Sequence, residues 1–101
     1  MRKFETLLLI SPEAAADVRE TMLAALTGII LKEGGGNIET EHWGMRDLAY
    51  PVRKQMRGYY VRLEYAAPGA CIAELERNIR FDENIFKFLT VRLDETAEEV
   101  V

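Results

Sequence analysis

Apolar positions change rhythm repeatedly along the chain, and each change marks an element. "KFETLLLI", Lys3 to Ile10, is a short apolar-rich run bounded by Ser11 and Pro12, as a buried strand should be. In "SPEAAADVRETMLAALTGIILKE" the period lengthens, and Val18, Met22, Leu26, Ile29 and Ile30 fall on one helical face. Ser11 can cap this helix, Pro12 suits its first position, and Glu13 and Asp17 favour the positive end of its dipole. Gly34, Gly35 and Gly36 end it, since glycine accepts the left-handed conformation of a helix stop.

"NIETEHWGMRDLAY", Asn37 to Tyr50, predicts a long second strand with a bulge or bend at Gly44. Pro51 should stop the pairing because it has no amide hydrogen, leaving "VRKQMR" as the hairpin loop. In "GYYVRLEYA" Tyr59, Val61, Leu63 and Tyr65 alternate with Tyr60, Arg62 and Glu64, the clearest strand pattern in the chain. "PGACIAELERNIRF" is a second helix with Ile72, Leu75 and Ile79 on its apolar face and Glu76 and Arg80 paired on its surface. "NIFKFLTVRL", Asn84 to Leu93, is a fourth strand, and "DETAEEVV" is an acidic tail.

The order strand, helix, strand, strand, helix, strand is the α+β, ferredoxin-like βαββαβ pattern. Right-handed crossovers place the first and third strands in the middle of a four-stranded antiparallel sheet, with both helices on one face and the other face open. Residues 1–94 then form one domain and 95–101 a short tail. The open face should carry an apolar patch. "LLLI" is apolar on both sides, and if Phe86 and Phe88 face the core, then Leu7, Leu9, Leu89 and Val91 gather outside beside Tyr60. A patch of that kind fits a protein partner, unless the tail or a loop covers it.

Composition narrows the functions available. At 101 residues with 49% hydrophobic and 30% charged residues, this is ordinary globular composition for one domain. No apolar run approaches a membrane span, and the N-terminus lacks the h-region of a signal peptide. The lone Cys71 can make no internal disulfide, which fits a reducing cytoplasm. Net charge is -4, which argues against strong independent binding to nucleic acid, whose affinity rests on neutralising phosphates. Yet "RDLAYPVRKQMRGYYV" carries Arg46, Arg53, Lys54 and Arg57 against a single acid, Asp47. The predicted topology sorts the cations into two spots. Arg2, Lys3 and Arg92 share one end of the sheet; Arg53, Lys54, Arg57 and Lys87 share the other.

Motifs for chemistry are weak. His42 and Cys71 sit on different elements without ligand spacing, so neither a metal site nor a cofactor is expected. "EGGGN" lacks the Lys-Ser or Lys-Thr of a phosphate loop. No acidic pair stands out for catalysis. "RGYYVRLEY" opens like the RNA-recognition motif RNP1, but Tyr60, Arg62 and Glu64 break the pattern and the stripe of Tyr59 and Val61 belongs to the core.

"MRKFETLLLISP", "EHWGMRDLAYPVRKQMRGYYV" and "FLTVRLDE" together resemble the bacterial small-subunit ribosomal protein S-six (S6) family, over about residues 1 to 94. Met45 and Asp47 stand where that family more often carries a basic residue, and the tail holds no family signature. The resemblance implies a ferredoxin-like, non-enzymatic, structural protein of the cytoplasmic ribosome, monomeric outside it. It implies binding to the central domain of 16S ribosomal RNA together with the basic small-subunit protein S-eighteen (S18). On that reading RNA contact falls to Arg2, Lys3, Lys87, Arg92, Arg46, Arg53, Lys54 and Arg57, and partner contact to Leu7, Leu9, Tyr60, Leu89 and Val91. Competing readings on the same fold are a dimeric ligand-binding regulatory module, or a small enzyme using His42 and an arginine in a cavity.

Overall fold

Six elements follow in the expected order in the computed structural model, which describes residues 1–93: β1 (Arg2–Ile10), α1 (Ala16–Lys32), β2 (Gly36–Val52), β3 (Gln55–Ala67), α2 (Gly69–Phe81) and β4 (Ile85–Arg92). The acidic tail expected from residue 95 lies outside the described residues. The strands form one sheet in the order β2-β3-β1-β4, every neighbour antiparallel. This is the ferredoxin-like arrangement, with β1 and β3 central and β2 and β4 at the edges.

Alternation decides the two faces. Phe4, Leu8 and Ile10 of β1 meet Val61, Leu63, Tyr65 and Ala67 of β3 under the helices, where they pack against Met22, Leu23, Leu26 and Ile30 of α1 and Cys71, Leu75 and Ile79 of α2. Each fully buried aliphatic side chain here stabilises the fold by about 1.5–3 kcal/mol relative to exposure. One polar residue, Thr6, is fully buried in this layer. Its hydroxyl lies 2.8 Å from the Tyr65 hydroxyl and 2.9 Å from the Thr90 hydroxyl, so the three oxygens satisfy one another. Burial pushes the Tyr65 phenol up to about 12, and it pushes the Cys71 thiol up as well. Cys71 is a packing residue of the core.

The local differences from expectation have identifiable causes. Helix α1 starts at Ala16 rather than beside Ser11. The Ser11 amide is held by the Asn84 carbonyl at 2.7 Å, so Ser11 still belongs to the sheet end, and its hydroxyl accepts from the Glu13 amide across a turn. Ala15 is the N-cap and makes no side-chain cap. Val18, placed on the apolar face by its spacing, is exposed, and Leu23 is buried in its stead. The hairpin between β2 and β3 is tighter than the loop expected over residues 52–57. Arg53 and Lys54 have φ of 49° and 66°, and Val52 pairs Gln55, which is a two-residue turn. Pro51 does not end β2; pairing lapses between Asp47 and Val52 and then resumes. Gly44, with φ 89°, sits at the shift between His42 and Gly44, the bulge that its position in the strand predicts.

Candidate RNA and protein interface

The open face of the sheet is divided. In its centre Arg62 of β3 reaches Glu5 of β1 at 2.7 Å and Glu64 of its own strand at 2.6 Å. The hydrogen bonds it donates to these two carboxylates push the already basic guanidinium higher still. Toward the hairpin end the face turns apolar. Leu7, Leu9, Tyr60, Phe88 and Leu89 line a shallow cleft with Lys87 at its edge. A second depression, lined by Leu48, Ala49, Tyr50 and Val52, shares Leu9, Tyr60 and Lys87 with the first. The two read as one groove running from β4 across the sheet to the far half of β2.

Leu9 is only 5% exposed although it points away from the helices. It pairs Tyr60 across the strands, and a Cβ on Gly58 would lie 2.2 Å from its Cδ1. The glycine before the two tyrosines therefore lets Leu9 lie flat over β3, where Tyr60 flanks it. Leu89 is 61% exposed and forms the reachable rim, while Val91, exposed beside Glu5, lies two residues along β4 and outside the lining of the cleft. The phenylalanines divide. Phe88 packs against the core opposite Leu8. Phe86 sits at the register shift of β4, with the Arg53 guanidinium 5.1 Å from its ring centroid. Leu48, Tyr50 and Val52 were missed from sequence. The cue was present, since apolar residues continue through "LAYPV", but the strand reading stopped at Tyr50 and put Val52 in the loop, so no groove was drawn there.

The cations fall at the two ends of the sheet as the topology requires, yet on different faces. At one end Arg2 pairs Ala67, and its guanidinium borders Gly69 at the start of α2. Arg92 pairs Phe4, and the Leu93 amide donates to the Lys3 carbonyl at 2.9 Å. Lys3 itself lines a depression with Glu39 and Glu64 on the opposite face. At the other end most cations rest on aromatic rings. The Arg46 guanidinium lies 5.5 Å from the Trp43 ring, Trp43 meets Tyr60 at 6.3 Å, and the Trp43 indole donates to Glu41. Lys87 donates to the Tyr50 hydroxyl at 2.9 Å and holds that phenol below its usual range. Arg57 pairs Asp47 at 3.1 Å, both well exposed. Lys54 projects from the turn. His42 is a surface strand residue sharing a hydrogen bond of 3.0 Å with the Tyr59 hydroxyl, over whose ring the Arg19 guanidinium sits at 3.8 Å. Ring faces do not neutralise Arg46, Arg53 and Lys87, so these three keep their charge for an anion.

Residues 3–92 match the family model described as Ribosomal protein S6. The chain belongs to that family. A small ribosomal subunit protein bS6 from Nitratidesulfovibrio vulgaris (strain DP4) is 68% identical over 100 residues, covering 99% of each chain. The crystal structure of 30S ribosomal protein S6 from Thermotoga maritima superposes with a TM-score of 0.88 at 27% identity, covering 98% of this chain and 94% of that one. A GlnK–ATP complex from B. subtilis, with a TM-score of 0.55 at 10% identity, shares the fold alone. The S6 family is one of structural proteins of the small subunit, and the divided open face with cations at both sheet ends is how this member presents the family's fold. No helix among the described residues is long and apolar enough to cross a membrane.

Proposed function

We propose that this chain is a structural, non-enzymatic protein of the cytoplasmic small ribosomal subunit, a monomer before assembly, that binds the central domain of 16S ribosomal RNA jointly with S18. Membership of the S6 family across residues 3–92 carries this reading. The geometry supports a division of labour. The groove rimmed by Leu89 and floored by Leu7, Leu9 and Tyr60, with the neighbouring exposed Val91, takes the protein partner. The adjacent carboxylates Glu5, Glu39 and Glu64 suit a basic one. Arg2, Lys3 and Arg92 at one end, and Arg46, Arg53, Lys54, Arg57 and Lys87 at the other, contact phosphates. Such contacts fix orientation without reading sequence. A chain of net charge -4 neutralises few phosphates alone, so the basic partner supplies most of the affinity.

A gel-shift titration on a central-domain RNA fragment tests this directly. The isolated chain should bind weakly and lose binding as salt rises, while the preformed heterodimer with S18 should bind far more tightly. Tight binding by the isolated chain at physiological salt, or a stable homodimer on sizing, would overturn the proposal.

A further inference from the structure

The helix side carries a second groove, on the opposite side of the sheet from the open face. Its floor is Met22, Ala25 and Ile29 of α1, and its far wall is Phe81 with the turn Asp82–Asn84 that follows α2. Phe81 is 72% exposed, and the Arg77 guanidinium lies 5.6 Å from its ring centroid. Among the described residues, every ionisable side chain lining the groove is a carboxylate: Asp17, Asp82 and Glu83. None of the three forms an ion pair among the described residues. Asp17 accepts from the Val18 amide and Asp82 from the Asn84 amide, each through one oxygen, which leaves acceptor capacity on both. Helix α2 ends here, so its last carbonyls add negative potential.

We propose that this groove docks a basic, apolar-bearing segment of a second protein. An apolar side chain would seat between Met22 and Phe81 while lysine or arginine side chains meet Asp17, Asp82 and Glu83. Aromatic residues, Phe among them, are enriched at protein interfaces, and charges of one sign beside them steer and orient a partner of the other sign. RNA is disfavoured, because its phosphates would face three carboxylates, while the bordering cations Arg77 and Arg53 are engaged by the Phe81 ring and the Glu83 carbonyl. The chain's own residues 94–101 do not fit either, since Asp94, Glu95, Glu98 and Glu99 repeat the groove's charge. The inference stands independently of the assignment of S18 to the open face.

The test is a nuclear magnetic resonance titration of the labelled full chain with a peptide of alternating leucine and arginine. Saturable shifts should centre on Met22, Ala25, Ile29, Phe81, Asp82 and Glu83. Phe81→Ala should weaken binding about tenfold, and the pair Asp82→Asn and Glu83→Gln should weaken it and flatten its salt dependence. Both variants should keep the parent's melting temperature, because Phe81 is exposed and asparagine preserves the acceptor that holds the Asn84 amide. Any of several results would overturn the proposal: shifts centred on the open-face groove, equal affinity for Phe81→Ala, equal affinity for a glycine–arginine peptide, or the same shifts from an RNA oligonucleotide. Self-association in sedimentation that reproduces the shifts without peptide would assign the groove to a second copy, and would overturn it too.

Discussion

Arg62 shows how far one residue's role depends on its neighbours. Along the chain it is a cation in the exposed stripe of β3, and its replacement should cost little. In the folded sheet it separates Glu5 from Glu64, with all three side chains about a quarter exposed or less. Arg62→Ala leaves two carboxylates close together, and urea unfolding should show a loss of about 1 kcal/mol, a modest figure because water still screens the group. Adding Glu5→Gln should recover part of that loss; a double variant less stable than Arg62→Ala would show that the repulsion is not the cause. Tyr65 gives the pH dependence. Its phenol is raised from about 10 in the unfolded chain to about 12 in the fold. Between these values the unfolded chain has lost the proton and the fold keeps it, so stability is intact below about pH 10 and falls toward pH 12. Tyr65→Phe should be less stable at neutral pH, having lost the hydrogen bond to Thr6, and should show a shallower alkaline decline in thermal melts.

At the scale of elements, the β2–β3 hairpin joins folding to function. Its turn holds Arg53 and Lys54 at positive φ, a conformation that side chains with a Cβ resist and that Asn-Gly adopts readily. Cations at this tip are therefore kept against local preference. Arg53→Asn with Lys54→Gly should stabilise the isolated protein by about 0.5–1 kcal/mol. The same pair should weaken assembly onto RNA and lower the salt slope by about one unit for each phosphate no longer neutralised. Chemical denaturation beside salt-dependent gel shifts would separate the two effects. If the variant were more stable and bound RNA as before, the tip would be a solvated turn and no part of the interface. Helix α1 makes the same point about context. Spacing put Val18 on its apolar face, whereas in the fold Val18 is exposed and Leu23 is buried, because apolar positions nearly encircle the helix and tertiary packing chooses among them.

For the whole molecule, the separation of surfaces is the main consequence of the topology. The apolar groove is reached through Leu89, whereas Leu9 is part of its packed floor. Leu89→Asp should therefore leave the fold intact and impair heterodimer formation with S18 in calorimetry, because a charge would be desolvated without a mate. Leu9→Asp should instead destabilise the protein itself, with a cooperative loss of melting temperature. Normal partner binding by a folded Leu89→Asp variant would remove the groove from the interface and leave the family assignment untouched.

The sequence by itself determined the order of elements, the face of each central strand that enters the core, the bulge at Gly44 and the family. These follow from periodicity, glycine stereochemistry and a long specific motif, all of which act between residues near in the chain. It also placed the cations at the two ends of the sheet, because strand order and direction follow from the βαββαβ pattern. Only the tertiary structure decided which cations share a face, that Arg62 is clamped by Glu5, and that Leu9 is buried while Leu89 is not. It alone extended the groove to Leu48, Tyr50 and Val52, and it alone brought Phe81 beside Met22 and Asp82 beside Asp17. Each of those outcomes depends on contacts between strands or helices far apart in sequence. Register, the bulge in β4 and the packing of α1 against the turn after α2 set them, and no local pattern in the chain encodes such distances.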